Sequence, residues 1–232
     1  MPHWRGNEVG VQYHKRMGYH YPSLNPQKAL IWRITHRDNV PWILDKGLHC
    51  ATSQIRDPHF VAIGNKDLID RRSQHQVTAA PGGTLSDYVP FYFTPFSPMM
   101  FNIKTGRSGV QQRSNEEIVI LVSSLPELAK QKVPFLYTQV HALLKYARFS
   151  NDLSKLPSLD WAILQARNFS RDDEDPGKMD RYMAEALAYR HVPIQALQGI
   201  VCYTDAVKTQ IAAQVNARKL GVQVFARTEW YF

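Results

Sequence analysis

The run Glu117–Ser123 (EIVILVS) sets the strongest constraint on this chain. Five consecutive aliphatic residues, Ile118–Val122, leave no polar face for water, so the segment reads as a buried strand inside a real core. With 232 residues and 44% apolar residues, the chain can supply that core as one domain, or as one domain plus a short extension. No stretch approaches the length of apolar sequence that a membrane span needs, and mean hydropathy is −0.36.

Around this strand the pattern alternates short strands with a few helices. Ala29–Thr35 (ALIWRIT) reads as another buried strand. Asp38 then opens a short helix, with Val40, Ile43 and Leu44 at helical spacing and Gly47 as its stop. Residues 65–77 read as a charged helix that ends before the Pro81-Gly82-Gly83 turn. Tyr88–Phe93 (YVPFYF) is an aromatic strand whose Pro90 suggests an edge or a bulge. Further strands are expected over 99–103, 134–138, 199–203 and 222–227, and helices over 126–132, 140–148 and 206–220. Met183–Tyr189 (MAEALAY) stays open between strand and helix, and residues 150–180 read as a polar, turn-rich loop with an acidic run at 172–175. The irregular spacing does not suit a doubly wound βαβ array, so the fold class is α+β. Residues 1–28, rich in His, Tyr and basic residues, read as an N-terminal extension, with the domain proper at 29–232.

Common motifs are absent. No GxGxxG follows a strand, and no GxxxxGK[ST], HExxH or GxSxG occurs. The nine histidines have no ligand spacing, so no metal is expected. Cys50 and Cys202 form no CxxC pair and read as buried free thiols of a reducing compartment. No apolar leader is visible at the N-terminus, and the expectation is a cytoplasmic protein. The net charge of +8 favours a polyanionic partner, although plain solubility explains it as well.

A few residues sit awkwardly for packing alone. Glu185 lies among small and apolar neighbours; on a strand it would share a face with Met183 and Leu187 and be partly buried. Arg33 is a cation within an apolar strand and wants an anion nearby. Arg71-Arg72 closes a helix that on local evidence is an ordinary solvated face. The 88–93 strand suits a core or the wall of a pocket for a flat ring.

Taken together, several segments resemble the DarT family of DNA ADP-ribosyltransferase toxins. They are ITHRDNVPWILDKGL (34–48), DLIDRR (67–72), GGTLSDYVPFYFTPFSPMMF (82–101), YARF (146–149), AEALAY (184–189) and EWYF (229–232). The resemblance runs from about Ala29 to Phe232. It implies an ADP-ribosyltransferase fold, with a split, mostly antiparallel β core, flanking helices and NAD as co-substrate in the cleft. It also implies transfer of ADP-ribose to a base in single-stranded DNA, with thymidine favoured over guanine.

By position, the resemblance puts Glu185 on the catalytic glutamate, at the nicotinamide-ribose hydroxyls, and Arg72 on the catalytic arginine. A guanidinium is a poor base at neutral pH, so an electrostatic role suits Arg72 best. Tyr92 matches the aromatic that stacks on nicotinamide, and Thr35 and Asn39 match positions lining the NAD site. Two departures stand out. Arg33 replaces the family's histidine in Trp32-Arg33-Ile34-Thr35, with a role toward NAD still expected, and Phe96 stands where an arginine is common. The loop before Glu185 matches the substrate-recognition loop, which offers Arg167, Asn168, Phe169 and Arg171, together with Arg148, as contacts to DNA. A macrodomain antitoxin is the implied partner, and a monomer the expected state. The alternatives are a nucleic-acid-binding module without catalysis and a transferase acting on RNA or protein.

Overall fold

The aliphatic run forms a strand over Ile118–Ser124 in which every residue is buried. In this computed structural model, which describes residues 20–232, that strand is the fourth of nine. The elements run β1 (Leu30–His36), α1 (Val40–Lys46), β2 (Leu48–His49), α2 (Lys66–Gln74), β3 (Tyr88–Tyr92), α3 (Pro98–Thr105), β4 (Ile118–Ser124) and α4 (Leu125–Lys130). They continue with β5 (Phe135–Tyr137), α5 (Trp161–Gln165), α6 (Lys178–Tyr182), β6 (Glu185–Tyr189), β7 (His191–Val192), β8 (Gly199–Cys202), α7 (Asp205–Ala217) and β9 (Gln223–Ala226).

Seven strands form one sheet in the order β5-β6-β3-β1-β4-β8-β9, antiparallel except for the β8–β9 pair, and β2 and β7 form a separate ribbon. The sheet is split between β1 and β3. β1 is registered along its whole length with β4, from Leu30↔Ser124 to His36↔Ile118, but meets β3 only at Trp32↔Tyr92. Beyond that one pair the two strands part and leave a cleft between the halves of the sheet. The α+β reading and the split antiparallel core both hold.

Pro90 marks the split. β3 is an interior strand, not the edge or bulge that its proline suggests. Its carbonyl accepts a hydrogen bond from Arg33 Nη1 at 2.9 Å, so its backbone faces the β1 side. The N–H that proline lacks would have pointed into the cleft, where no ladder partner waits.

Several local expectations shift. Residues 98–105 form a helix, not the strand expected over 99–103. Ser97 accepts from Met100 N–H as N-cap, Pro98 occupies the first turn, and Gly106 closes the end with φ 70°. Such end signals outweigh a short apolar run. Residues 140–148 are a chain of turns, not a helix, with Leu144 N–H bonded to His141 O and Ala147 N–H to Leu144 O. MAEALAY resolves as strand β6. The loop at 150–180 contains α5, α6 and a 3-10 stretch at Leu153–Ser158, anchored by buried Leu156, Trp161 and Leu164. Its acidic run is engaged internally, Asp172 by Lys178 and Asp175 by Arg181.

Most of the extension expected at 1–28 lies outside the described residues. Its last part packs on the domain. Leu24 is buried and its carbonyl accepts from Gln165 Nε2 at 2.8 Å, while Tyr21 lies against Phe96.

Candidate active site

Glu185 opens β6 directly opposite Tyr92 of β3, on the floor of the cleft. It is 2% exposed. Oε2 accepts from Arg72 Nη1 at 2.8 Å, and Oε1 accepts from the main-chain N–H of Ala142 at 3.0 Å. Its own N–H donates to Thr138 Oγ1 at 3.3 Å, and its carbonyl accepts from Thr138 N–H at 2.8 Å. Burial alone would push the carboxyl pKa up. The Arg72 charge, nearby His141 and the Ala142 N–H together outweigh burial and hold it below its ordinary value. Glu185 is therefore an ionised carboxylate in a nearly dry place.

Arg72 reaches this carboxylate from the last turn of α2, a helix with no buried residue. Asn65 caps the helix by accepting from Leu68 N–H, and its amide donates to Ser108 O. Leu68, Ile69 and Arg72 form the helix face that lines the cleft.

Two adjoining cavities fill the cleft, of about 370 and 180 Å³. Both are lined by Arg33, Thr35, Phe60, Ile69, Arg72 and Pro90. The larger continues past Trp42, Ile43, Leu48 and Val89, and the smaller reaches Tyr92, Met99, His141 and Glu185. At their junction the two guanidinium groups hold unused donors: Arg33 Nε and Arg72 Nη2 are buried with no hydrogen-bond partner among the described residues. Burial, then the proximity of Arg72, lowers the Arg33 pKa to about 10, with Tyr92 acting in the opposite sense. Burial, then the Glu185 charge, raises the Tyr92 phenol to about 12. Paired cations with unsatisfied donors call for an anionic ligand with several oxygens, and the apolar length on one side calls for a flat ring.

The sequence-derived residues divide into two groups. Glu185, Arg72, Arg33, Thr35, Asn39 and Tyr92 all line the cleft. Within this group Asn39 is heavily engaged. Its Nδ2 donates to Thr35 Oγ1 at 3.0 Å and to Val61 O at 2.9 Å, and its Oδ1 accepts from Val61 N–H at 2.8 Å. It thus ties the wall loop at Val61 to the end of β1.

None of Arg148, Arg167, Asn168, Phe169 and Arg171 lines either cavity. The Arg167 guanidinium donates to Glu229 O at 3.1 Å and Tyr231 O at 2.8 Å, and lies over the rings of Phe96 and Phe232. Phe169 is packed among Phe101, Tyr182 and Phe232. Asn168 caps Ser170, and Arg171 pairs with Asp173 on the surface. Arg148 is exposed.

Sequence reasoning missed His141 and Ala142. His141 Nδ1 lies 3.8 Å from Glu185 Oε1 and accepts from Leu143 N–H at 3.2 Å, which leaves the ring proton on Nε2. Burial keeps the ring neutral by lowering its pKa, although Glu185 pulls the other way. Ala142 acts through its main chain and carries no sequence signal. Among the described residues no group of His, Cys, Asp or Glu is arranged to hold a metal ion, and no helix is long and apolar enough to cross a membrane.

The family model described as "ssDNA thymidine ADP-ribosyltransferase, DarT" matches residues 32–232. A DNA ADP-ribosyl transferase of Escherichia coli O127:H6 (strain E2348/69 / EPEC) is 53% identical over 217 residues, 93% of this chain and 100% of that protein. One from Thermus sp. (strain 2.9) is 34% identical over 211 residues, 89% of this chain and 98% of that protein. The solved structure of Thermus sp. 2.9 DarT in complex with ADP-ribosylated ssDNA matches with a TM-score of 0.81 and 31% identity, over 93% of this chain and 100% of that one. The same DarT in complex with NAD+ matches with a TM-score of 0.77 and 31% identity over 90% of this chain and 100% of that one. The chain belongs to the DarT family of NAD-dependent DNA ADP-ribosyltransferases.

Proposed function

We propose that this chain is a toxin that transfers ADP-ribose from NAD to thymidine in single-stranded DNA. The observation that carries the reading is the buried Arg72–Glu185 pair, whose arginine lines both cavities and whose carboxylate lines the smaller one. The description of the matching family model and the DNA-bound Thermus relative support the acceptor. In this reading the larger cavity takes the adenosine end, Arg33 and Arg72 hold the diphosphate with their unused N–H groups, and Tyr92 packs against nicotinamide. Thr35 completes the wall, and Asn39 keeps that wall in place.

The bond between ribose C1′ and the nicotinamide nitrogen breaks, and its electron pair leaves with nicotinamide. Glu185 accepts hydrogen bonds from the ribose hydroxyls and faces the positive charge that develops at C1′, where an ionised carboxylate in a dry site is most effective. A ring nitrogen of the base loses its proton to solvent and, with the electron pair this leaves, bonds to C1′ from the opposite side. Arg72 stabilises the base as it becomes anionic. Pairing in a duplex would hide that edge, so an unpaired strand is the fitting substrate. Arg148 and Arg171 face the DNA backbone, while Arg167 and Phe169 act through the shape of their loop, with Asn168 on its surface. The chain acts as a monomeric cytoplasmic enzyme, its catalytic domain spans 29–232, and a macrodomain antitoxin reverses its modification.

The test is nucleoside mass spectrometry after incubating the enzyme with NAD and a mixed-sequence single-stranded oligonucleotide. One ADP-ribose on thymidine is expected. An adduct on guanosine would move the specificity, and no adduct on any oligonucleotide would overturn the reading. Arg33→Ala is expected to raise the KM for NAD about 10- to 100-fold, the range for losing a charged hydrogen-bond donor, with little change in the KM for DNA. Unchanged NAD affinity in isothermal titration would remove Arg33 from the site.

A further inference from the structure

The motif Tyr146-Ala147-Arg148-Phe149 takes little part in the cleft. Tyr146 is nevertheless 60% exposed, more than any other large apolar side chain among the described residues. The ring is not left to swing. Its hydroxyl donates to Asp180 Oδ2 at 2.5 Å. The main-chain carbonyl of Asp180 in turn accepts from His141 N–H at 3.0 Å, so α6 holds both ends of the turn segment 141–146. The same segment places His141 and Leu143 in the wall of the smaller cavity and presents Ala142 N–H to Glu185. The ring is thus fixed relative to the carboxylate. Lys145 and Arg148, on either side in sequence, are both exposed and have no ion-pair partner among the described residues.

An exposed, tethered aromatic face with exposed cations next to it along the chain is complementary to a base with its adjoining phosphates. We propose that Tyr146 is the stacking platform for a nucleotide flanking the one that is modified, with Lys145 and Arg148 against the adjoining phosphates. This rests on single-stranded DNA being the acceptor. The platform orders the strand so that its neighbouring base enters the smaller cavity, and it tolerates any flanking base because every base has a π face. Arg148 belongs to this subsite and not to the loop at 167–171, whose Arg167 and Phe169 are occupied within the protein.

The test is steady-state transfer to a short thymidine-containing oligonucleotide in which each flanking position is made abasic in turn. Tyr146→Ala is expected to raise the KM for the oligonucleotide about tenfold, a factor typical of one lost base stack. The KM for NAD should stay as in the wild type, the melting temperature should fall only slightly, by the loss of one exposed hydrogen bond, and Tyr146→Trp should restore oligonucleotide affinity. One abasic position should cost the wild type a similar factor and cost Tyr146→Ala nothing, because ring and base lose the same contact. A Tyr146→Ala variant with the wild-type KM for DNA, or one whose loss adds to that of every abasic position, would overturn the proposal. If the wild type modifies no oligonucleotide at all, the functional reading fails instead. The platform is then still tested by quenching of Tyr146→Trp fluorescence on titration with unmodified oligonucleotide, and absence of quenching refutes it.

Discussion

Glu185→Gln is expected to lower the rate of ADP-ribosyl transfer about 10³-fold while NAD binding holds or tightens. The amide keeps the volume of the carboxylate and an oxygen for the Ala142 N–H, so the floor of the cleft keeps its shape. What disappears is a negative charge beside two guanidinium groups, since Glu185 is the anion paired with Arg72 and Arg33 lies near enough for Arg72 to lower its pKa. In the proposed mechanism the developing cation at C1′ then loses its stabilisation, which acts only in the transition state. The ground state differs: in the proposed binding mode the diphosphate of NAD brings anionic oxygens to Arg33 and Arg72, which should bind it no worse when Glu185 no longer competes. The expected signature is a collapse of kcat at a constant or lower dissociation constant for NAD. A variant whose kcat stays within tenfold of the wild type would show that this carboxylate is not the group at C1′.

Arg72→Ala is expected to lose about 10²- to 10³-fold in transfer and also to invert the response of stability to acid. In the wild type the folded-state pKa of Glu185 lies below its ordinary value of 4.5. A carboxylate lowered in this way stabilises the fold fully above pH 4.5, and that contribution is lost as pH falls through the folded-state pKa. Burial is the largest influence on this group and acts upward. Once the Arg72 charge and its 2.8 Å hydrogen bond are gone, only His141 and the Ala142 N–H still act against burial, the largest influence, and the pKa is expected to rise above 4.5. The sign then reverses: the protonated acid is favoured by folding, and stability falls as pH climbs from 4.5 through the raised value. Melting temperatures at pH 4 and pH 7 check this directly. The wild-type Glu185 contribution grows over the interval and that of the variant shrinks. At neutral pH the unpaired buried carboxylate should cost the variant about 2–3 kcal/mol, at or below the usual range for breaking a buried pair because the site opens on a water-accessible cleft. Parallel pH curves for the two proteins would contradict the account.

The sheet was largely legible in the sequence because its strands carry their own signals. EIVILVS, ALIWRIT and GIVCY are aliphatic runs, and all three became neighbouring central strands, β4, β1 and β8. Segment 98–105 misled because its apolar content resembles a strand while its caps, Ser97 and Gly106, fix a helix. Segment 140–148 misled because local propensity favours a helix. The turns there give the His141 N–H to Asp180 O and the Ala142 N–H to Glu185, tertiary partners that local propensity does not reveal. Of the six cleft residues, Arg72, Thr35, Asn39 and Tyr92 were legible through the family motifs alone, Glu185 also as a carboxylate among apolar neighbours, and Arg33 as a cation in an apolar strand where the family has histidine. Nothing in the order of residues shows that Arg72 and Glu185, 113 positions apart, meet at 2.8 Å. Arg167 and Phe169 looked like DNA contacts because a cation and an aromatic ring in a loop suit a strand of nucleic acid, and equally suit each other's neighbours in a core.

The main-chain donor at Ala142 separates two demands that the same turn has to meet. Its backbone faces inward and steadies the acid, whereas its side chains at 141, 143, 145 and 146 face the cavity or solvent. A substitution at 145 or 146 leaves the N–H on Glu185 in place, because the donor is the main chain of residue 142. In the proposed reading DNA binding is thereby separable from catalytic power: variants at 145 and 146 can be screened for altered DNA affinity without first rebuilding the chemistry beneath them.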